Sequence, residues 1–216
     1  MARRTKEEAE ATRDGIIDAA ELCFLEDGVF RTTLERIAAR AGRSRGAVYW
    51  HFKNKLDVLE AVMERVELPM FDQLEQMVET SGSRPLIALR RSYKNAFEEF
   101  SRNPHARNAL EIAMLRCELV DETRRILDRK QRGMARAIAL LTEAFEHAQK
   151  LGQLRPGLSP IDCARSLRFL VIGALREWLL DPKAVSLQRD AFAAVDLMLR
   201  GFAAAGALEE ESADER

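Results

Sequence analysis

Cysteine is scarce in this chain: three residues in 216, at Cys23, Cys117 and Cys163. They lie far apart and form no CxxC pair, which argues against a disulfide framework and a zinc site. Each sits among apolar residues at helical spacing, where a thiol packs as a small hydrophobe. Histidine is as sparse, and His51, His105 and His147 share no HExxH or related spacing, so no metal site is expected. No stretch of eighteen apolar residues occurs, and none of the chain should cross a membrane. The first residues, MARRTKEEAEATR, are charged throughout and lack the apolar run of a secretory signal, which points to the cytoplasm. A glycine-rich phosphate loop and a nucleophile–base constellation are missing too. The sequence therefore argues against an enzyme, and no cofactor is expected.

What is present is helical periodicity. Apolar residues recur three and four apart almost everywhere, and no stretch alternates as a strand. Ile16, Ile17, Ala20, Cys23 and Phe24 form one stripe, with a helix stop expected at Asp27-Gly28. Thr32 with Glu35 fits a capping box for a short helix that ends at Gly42. Ser44 can cap a third helix running to Phe52, and Asn54 a long fourth one that passes Pro69, where a kink is expected. Further helices are expected near 86–101, 105–119, 122–150, 160–180 and 187–205. The fold class is all-α, with about nine helices.

Net charge is −1, but it is unevenly spread. Between Gly28 and Lys55 stand Arg31, Arg36, Arg40, Arg43, Arg45, Lys53 and Lys55 against Glu35 alone, a local balance of +6. A compact basic segment in a mildly acidic chain is an electrostatic footprint for a polyanion. The same segment has the spacing of a helix-turn-helix, TLERIAARAG, then RS, then RGAVYWHF. Arg43, Ser44 and Arg45 crowd the start of the second helix, and Gly46 allows close approach of the backbone to phosphate. Tyr49, His51 and Lys55 can donate to phosphates on the flanks, while Arg45 is long enough to reach a guanine edge. Phe52 reads as packing. Trp50 fits a core role and a base contact equally well.

TxxxIAxxAGxSRGAxYWHFKNK resembles the DNA-binding segment of the tetracycline-repressor (TetR) family. The motif's first residue, Thr33, joins the DNA-facing set. The resemblance extends to the first helix, MARRTKEEAEATRDGIIDAAELCFLEDGV, and to later pieces such as Glu111-Ile112, Cys117-Glu118 and Trp178 to Pro182, all similar to the AcrR-like branch of multidrug-efflux repressors. Arg43 departs from the pattern, which usually has a small apolar residue there. The resemblance implies a helix-turn-helix domain at 1–55 and a ligand-binding and dimerisation domain at 56–206. The acidic end, 207–216, is too poor in apolar surface to pack and is expected to be disordered.

Residues 164–180 are apolar on nearly every face, as a helix buried on all sides would be. With the stripe in 192–202 this implies a homodimer whose interface includes Leu167, Trp178, Val195, Met198 and Phe202. Twofold symmetry would present two recognition helices to a palindromic double-stranded DNA operator. The resemblance further implies a cavity for a small hydrophobic or aromatic inducer, with pocket positions at Glu67, Leu110, Met114, Val171 and Arg176. Phe97 and the methionines Met63, Met70 and Met77 could line it as adaptable apolar surface. Glu67 could meet a cationic ligand and Arg176 a phenol or carbonyl, or the two could form a structural pair. The expected function is a ligand-released repressor of an efflux operon, or else a regulator of a metabolic operon.

Overall fold

The computed structural model describes residues 6–118 and 124–209. Nine α-helices form among them: α1 Lys6–Arg31, α2 Leu34–Arg40, α3 Arg45–His51, α4 Lys55–Thr80, α5 Pro85–Arg102, α6 Pro104–Glu111, α7 Arg124–Lys150, α8 Pro160–Leu180 and α9 Phe192–Phe202. Wide π-type turns extend α6 through Ile112–Arg116 and lead into α9 through Leu187–Ala191. Among the described residues no strand forms, and Leu154 and Ala203 make a single isolated bridge. Most of the acidic end falls at 210–216, outside the described residues.

The short helices are set by local chemistry. Gly28 adopts φ 78°, which breaks α1 as the sequence implied, yet the chain resumes a helical path to Arg31. The cap of α2 is Thr33 rather than Thr32: its hydroxyl accepts from the Arg36 amide at 3.2 Å. Thr32 instead turns inward, its hydroxyl donating to the Gly28 carbonyl at 2.7 Å, so it seals the break in α1. Gly42 takes φ 60° in the turn that follows α2. Ser44 caps α3 through the Ala47 amide at 3.2 Å, and Asn54 caps α4 through the Asp57 amide at 3.0 Å.

The chain divides into two compact units, Met1–Leu68 with Pro104–Lys130, and Pro69–Asn103 with Gln131–Arg216. The first has a core of Ile16, Ile17, Phe24, Ile37, Val48, Leu59, Met63, Ile112 and Ile126, all 2% exposed or less. Burial of such side chains stabilises by about 1.5–3 kcal/mol each before entropy is counted. This core sits under α1, α2 and α3 and is closed by α4 and the π-type turn after α6. Glu21, on α1, is 2% exposed. Its carboxylate accepts from the Asn108 side-chain amide at 2.6 Å and meets His105 Nδ1 at 3.0 Å, which fastens α6 to α1. A buried carboxylate stripped of its partners would cost roughly 3–5 kcal/mol. In the second unit α9 packs on α5 and α8. Asp196 receives Arg90 of α5 at 2.5 Å and Arg200 at 2.7 Å. Burial opposes its ionisation, but the two guanidinium groups outweigh that and hold its carboxyl below the usual range.

Candidate nucleic-acid interface

The α2–turn–α3 segment is rigid because its inner side is apolar. Ile37 and Val48 are fully buried, Ala38 nearly so, and Phe52 is 4% exposed at the end of α3. Phe52 is thus packing, with the Arg13 guanidinium 5.3 Å from its ring centre. With Val48 turned inward and Ala47 and His51 half-buried, the other residues of α3 point away from the core. Arg45, Gly46, Tyr49 and Trp50 are exposed, as are Thr33, Arg43 and Ser44 just outside the helix. Trp50 is 73% exposed, so it is no part of the core. Its ring meets His51 edge-on at 4.5 Å. An indole left in water beside cations is a feature of a contact surface.

The cations of this segment are not equivalent. Arg36 pairs with Asp27 at 3.2 Å and with Glu26 at 3.3 Å, and Arg40 pairs with Glu26 at 2.5 Å. Those two carboxylates lie on α1, outside the basic stretch, and fold back onto it. Arg45 Nε lies 2.9 Å from a Glu35 carboxylate oxygen as an ion pair, and Nη2 donates to the Tyr49 hydroxyl at 3.4 Å. A hydrogen bond from its own backbone amide, and then the Arg45 charge, lower the Glu35 carboxyl below its ordinary value. Lys55 donates to the Phe30 carbonyl at 2.7 Å, tying the start of α4 to the last turn of α1. Arg43 and Lys53 stand exposed, with no ion pair among the described residues. The local excess of positive charge is therefore smaller than the count along the chain, and it rests on the cations outside these pairs, Arg43 and Lys53 among them.

The residues expected to bind a ligand divide between the units. Glu67, Leu110 and Met114 belong to the first. Glu67 there accepts both Nε and Nη2 of Arg129, at 2.9 and 2.8 Å, while Glu64 takes Nη1 at 3.0 Å. Phe97, Val171 and Arg176 belong to the second, where Phe97 is 1% exposed against Tyr93, Val171 is half-buried and Arg176 is exposed. None of the six lines a cleft described within the second unit. That cleft, about 520 Å³, lies between the far half of α4 and α5. Gln73, Gln76, Arg91, Asn95 and Glu99 make it polar, and of the expected methionines Met77 reaches it while Met63 is core of the first unit. Gln73 and Gln76 lie one turn apart on α4, but nothing in the order along the chain marks them as facing Asn95 on α5.

The residues expected at a dimer contact are also sorted by the fold. Leu167, Trp178 and Val195 are buried by their own chain, and Met198 and Phe202 are half-buried, with Phe202 edge-on to Phe145 at 5.8 Å. The exposed large apolar side chains of this region are Ile161, Phe169, Ile172 and Leu180 on α8 and Leu197 on α9. Among the described residues no group of three His, Cys, Asp or Glu side chains is placed to hold a metal ion, and no helix is long and apolar enough to cross a membrane. Cys23 and Cys163 are buried, and burial pushes both thiols up.

Residues 16–62 match the family described as bacterial regulatory proteins, tetR family, and residues 84–204 match the C-terminal region of MAATS-type transcriptional repressors. The chain is 37% identical over 191 residues to the HTH-type transcriptional regulator TtgR of Pseudomonas putida, covering 88% of this chain and 90% of that protein. It superposes with a TM-score of 0.85 on the SmeT–triclosan complex, at 41% identity, over 95% of this chain and 98% of that one. SmeT is described as the repressor of the Stenotrophomonas maltophilia multidrug efflux pump SmeDEF. NalD, the secondary repressor of the MexAB-OprM multidrug efflux pump in Pseudomonas aeruginosa, gives a TM-score of 0.82 at 36% identity, over 92% of this chain and 98% of that one.

Proposed function

The chain belongs to the TetR family of bacterial transcriptional regulators, and from that premise we propose that it is a dimeric repressor of a multidrug efflux operon. In this reading it acts in the cytoplasm on a palindromic operator and leaves the DNA when a small hydrophobic molecule binds. Its role is regulatory rather than catalytic. The observation that carries the reading is the division of α3: Val48 inward, and Arg45, Tyr49 and Trp50 outward beside Arg43. Arg45 is the base reader, while Thr33, Arg43, Ser44, Gly46, Tyr49, His51 and Lys55 hold the phosphates, which set register without reading sequence. Trp50 packs against the sugar–phosphate wall of the groove.

Residues 1–55 serve as the DNA-binding domain and 56–206 as the ligand-binding and dimerisation domain. This is a division by task, whereas the two units are a division by packing. The dimer contact is the exposed set Phe169, Ile172, Leu180 and Leu197, resting on Leu167, Trp178 and Val195 behind it. The transmitting element is α4, which starts at Lys55 beside the DNA face and ends at Thr80 on the cleft. A ligand that prefers one placement of α4 by a few kcal/mol shifts the spacing of the two recognition helices by the same free energy. Glu67, Leu110, Met114, Phe97, Val171 and Arg176 remain the inducer positions. Because Arg129 already occupies Glu67, a cationic ligand must compete with it.

One observation favours a second reading, a regulator of a metabolic operon that senses a native metabolite: the α4–α5 cleft is lined mainly by amides and charges rather than by apolar side chains. A gel shift separates the two. The protein should retard the promoter region upstream of its own gene and not a random duplex at the same salt, and triclosan, the ligand of the SmeT complex, should release it. Equal retention of random DNA would overturn the repressor reading. Release by polar metabolites but not by triclosan would select the second.

A further inference from the structure

The recognition face contains one acid where a surface built for affinity alone would have none. Glu35 lies in the first turn of α2, exposed, and its Oε1 forms an ion pair with Arg45, 2.9 Å from Nε. The same guanidinium lies 5.3 Å over the Tyr49 ring and reaches the Tyr49 hydroxyl at 3.4 Å through Nη2. The arginine most able to read a base is thus held from two sides, by a carboxylate on α2 and a phenol one turn along α3. Both holds spare part of the group. A guanidinium has five N–H donors, one on Nε and two on each Nη. With Nε facing the Glu35 carboxylate and one Nη2 hydrogen on Tyr49, three terminal hydrogens remain, at least one on each terminal nitrogen. That pair is the fork that meets O6 and N7 of guanine.

We propose that Glu35 is a specificity-determining residue, which positions Arg45 for a guanine edge and discourages its use on phosphate. The inference rests on the DNA-binding reading given above. Two physical effects act together. The carboxylate fixes the back of the guanidinium, so less rotamer freedom is lost when the fork engages a base. It also carries a negative charge into a surface that approaches phosphates, which costs affinity for every duplex alike. A repressor among a great excess of non-specific sites gains from that trade, since its occupancy depends on the ratio of specific to non-specific binding. Arg36 and Arg40 are neutralised in the same manner by Glu26 and Asp27, but those arginines stand on α2, away from the reading helix.

The test uses full-length protein and two fluorescent duplexes of equal length. One is selected by the wild-type protein from a randomised pool and the other is a scramble of it, both at one salt concentration. Glu35→Ala should tighten the scrambled duplex about threefold to fivefold, as the loss of one exposed charge pair permits. It should leave the selected duplex unimproved, so the ratio falls. Glu35→Gln keeps a polar side chain beside the guanidinium and should lose less of the ratio than Glu35→Ala while tightening the scramble as much. In an Arg45→Ala background, Glu35→Ala should no longer change the ratio. Equal tightening of both duplexes by both variants would reduce Glu35 to bulk charge and overturn the proposal. So would an unchanged ratio, or a ratio loss that persists without Arg45. If wild-type protein enriches no sequence from the pool, it is the DNA-binding reading that fails.

Discussion

The exposed faces of α3 and α8 are inverses of each other. On α3 the aliphatic side chain, Val48, is buried, and the outside shows a guanidinium, a phenol and an indole. On α8 the outside shows Phe169 at 66% exposure, Leu180 at 59% and Ile172 at 40%, with Leu197 at 70% on α9. A charged face is at ease in water and gains by displacing counterions from phosphates, so its binding weakens steeply with salt. An exposed apolar face gains only when another apolar surface covers it, by about 25 cal/mol per Å² and with little dependence on salt. The first face suits a partner that must be released, the second a partner that stays.

The largest effect should come from the apolar face. Phe169→Asp combined with Leu180→Asp should raise the dimer dissociation constant more than about a hundredfold, because both changes act on both protomers. Sedimentation velocity would then show monomer, and affinity for the selected duplex should fall with it. A dimer that survives both changes would break the comparison. Arg45→Ala comes next. It should weaken the selected duplex by roughly tenfold to a hundredfold and the scramble far less, read by fluorescence anisotropy. Unchanged discrimination would strip Arg45 of base reading. The smallest effect belongs to Arg43→Ala, about twofold to threefold on both duplexes with the log–log salt slope shallower by about one. A change in discrimination there would move Arg43 from the phosphates to the bases, and would give meaning to its departure from the family pattern.

Much of this was legible along the chain because it depends on near neighbours. The helix-turn-helix, its Gly42 turn, the Ser44 and Asn54 caps and the inward Ile37 and Val48 are all fixed by residues within a few positions of each other. The α2 cap shows how narrow that margin is: Thr32 and Thr33 are both capable hydroxyls. Thr33 took the cap, because Thr32 is 1% exposed beneath the break at Gly28. The charge count overstated the unpaired positive charge for a related reason. Glu26 and Asp27 precede the basic stretch in sequence yet neutralise two of its arginines, and only the pairing of α1 with α2 brings them there.

The sequence by itself determined the helical class, the place of the DNA-reading motif and the family, because periodicity, capping and turn chemistry are local. Tertiary structure alone decided which side of each apolar helix faces out, since a helix that is hydrophobic all round carries no mark of which face its own chain will cover. It placed Leu167 and Trp178 inside and Phe169 and Leu180 outside. It likewise gave Glu67 to Arg129, brought the amides of α4 and α5 to one cleft, and left Trp50 in water. In each case the outcome depends on a neighbour distant in sequence, and periodicity records only that a side chain has a face, not what meets it.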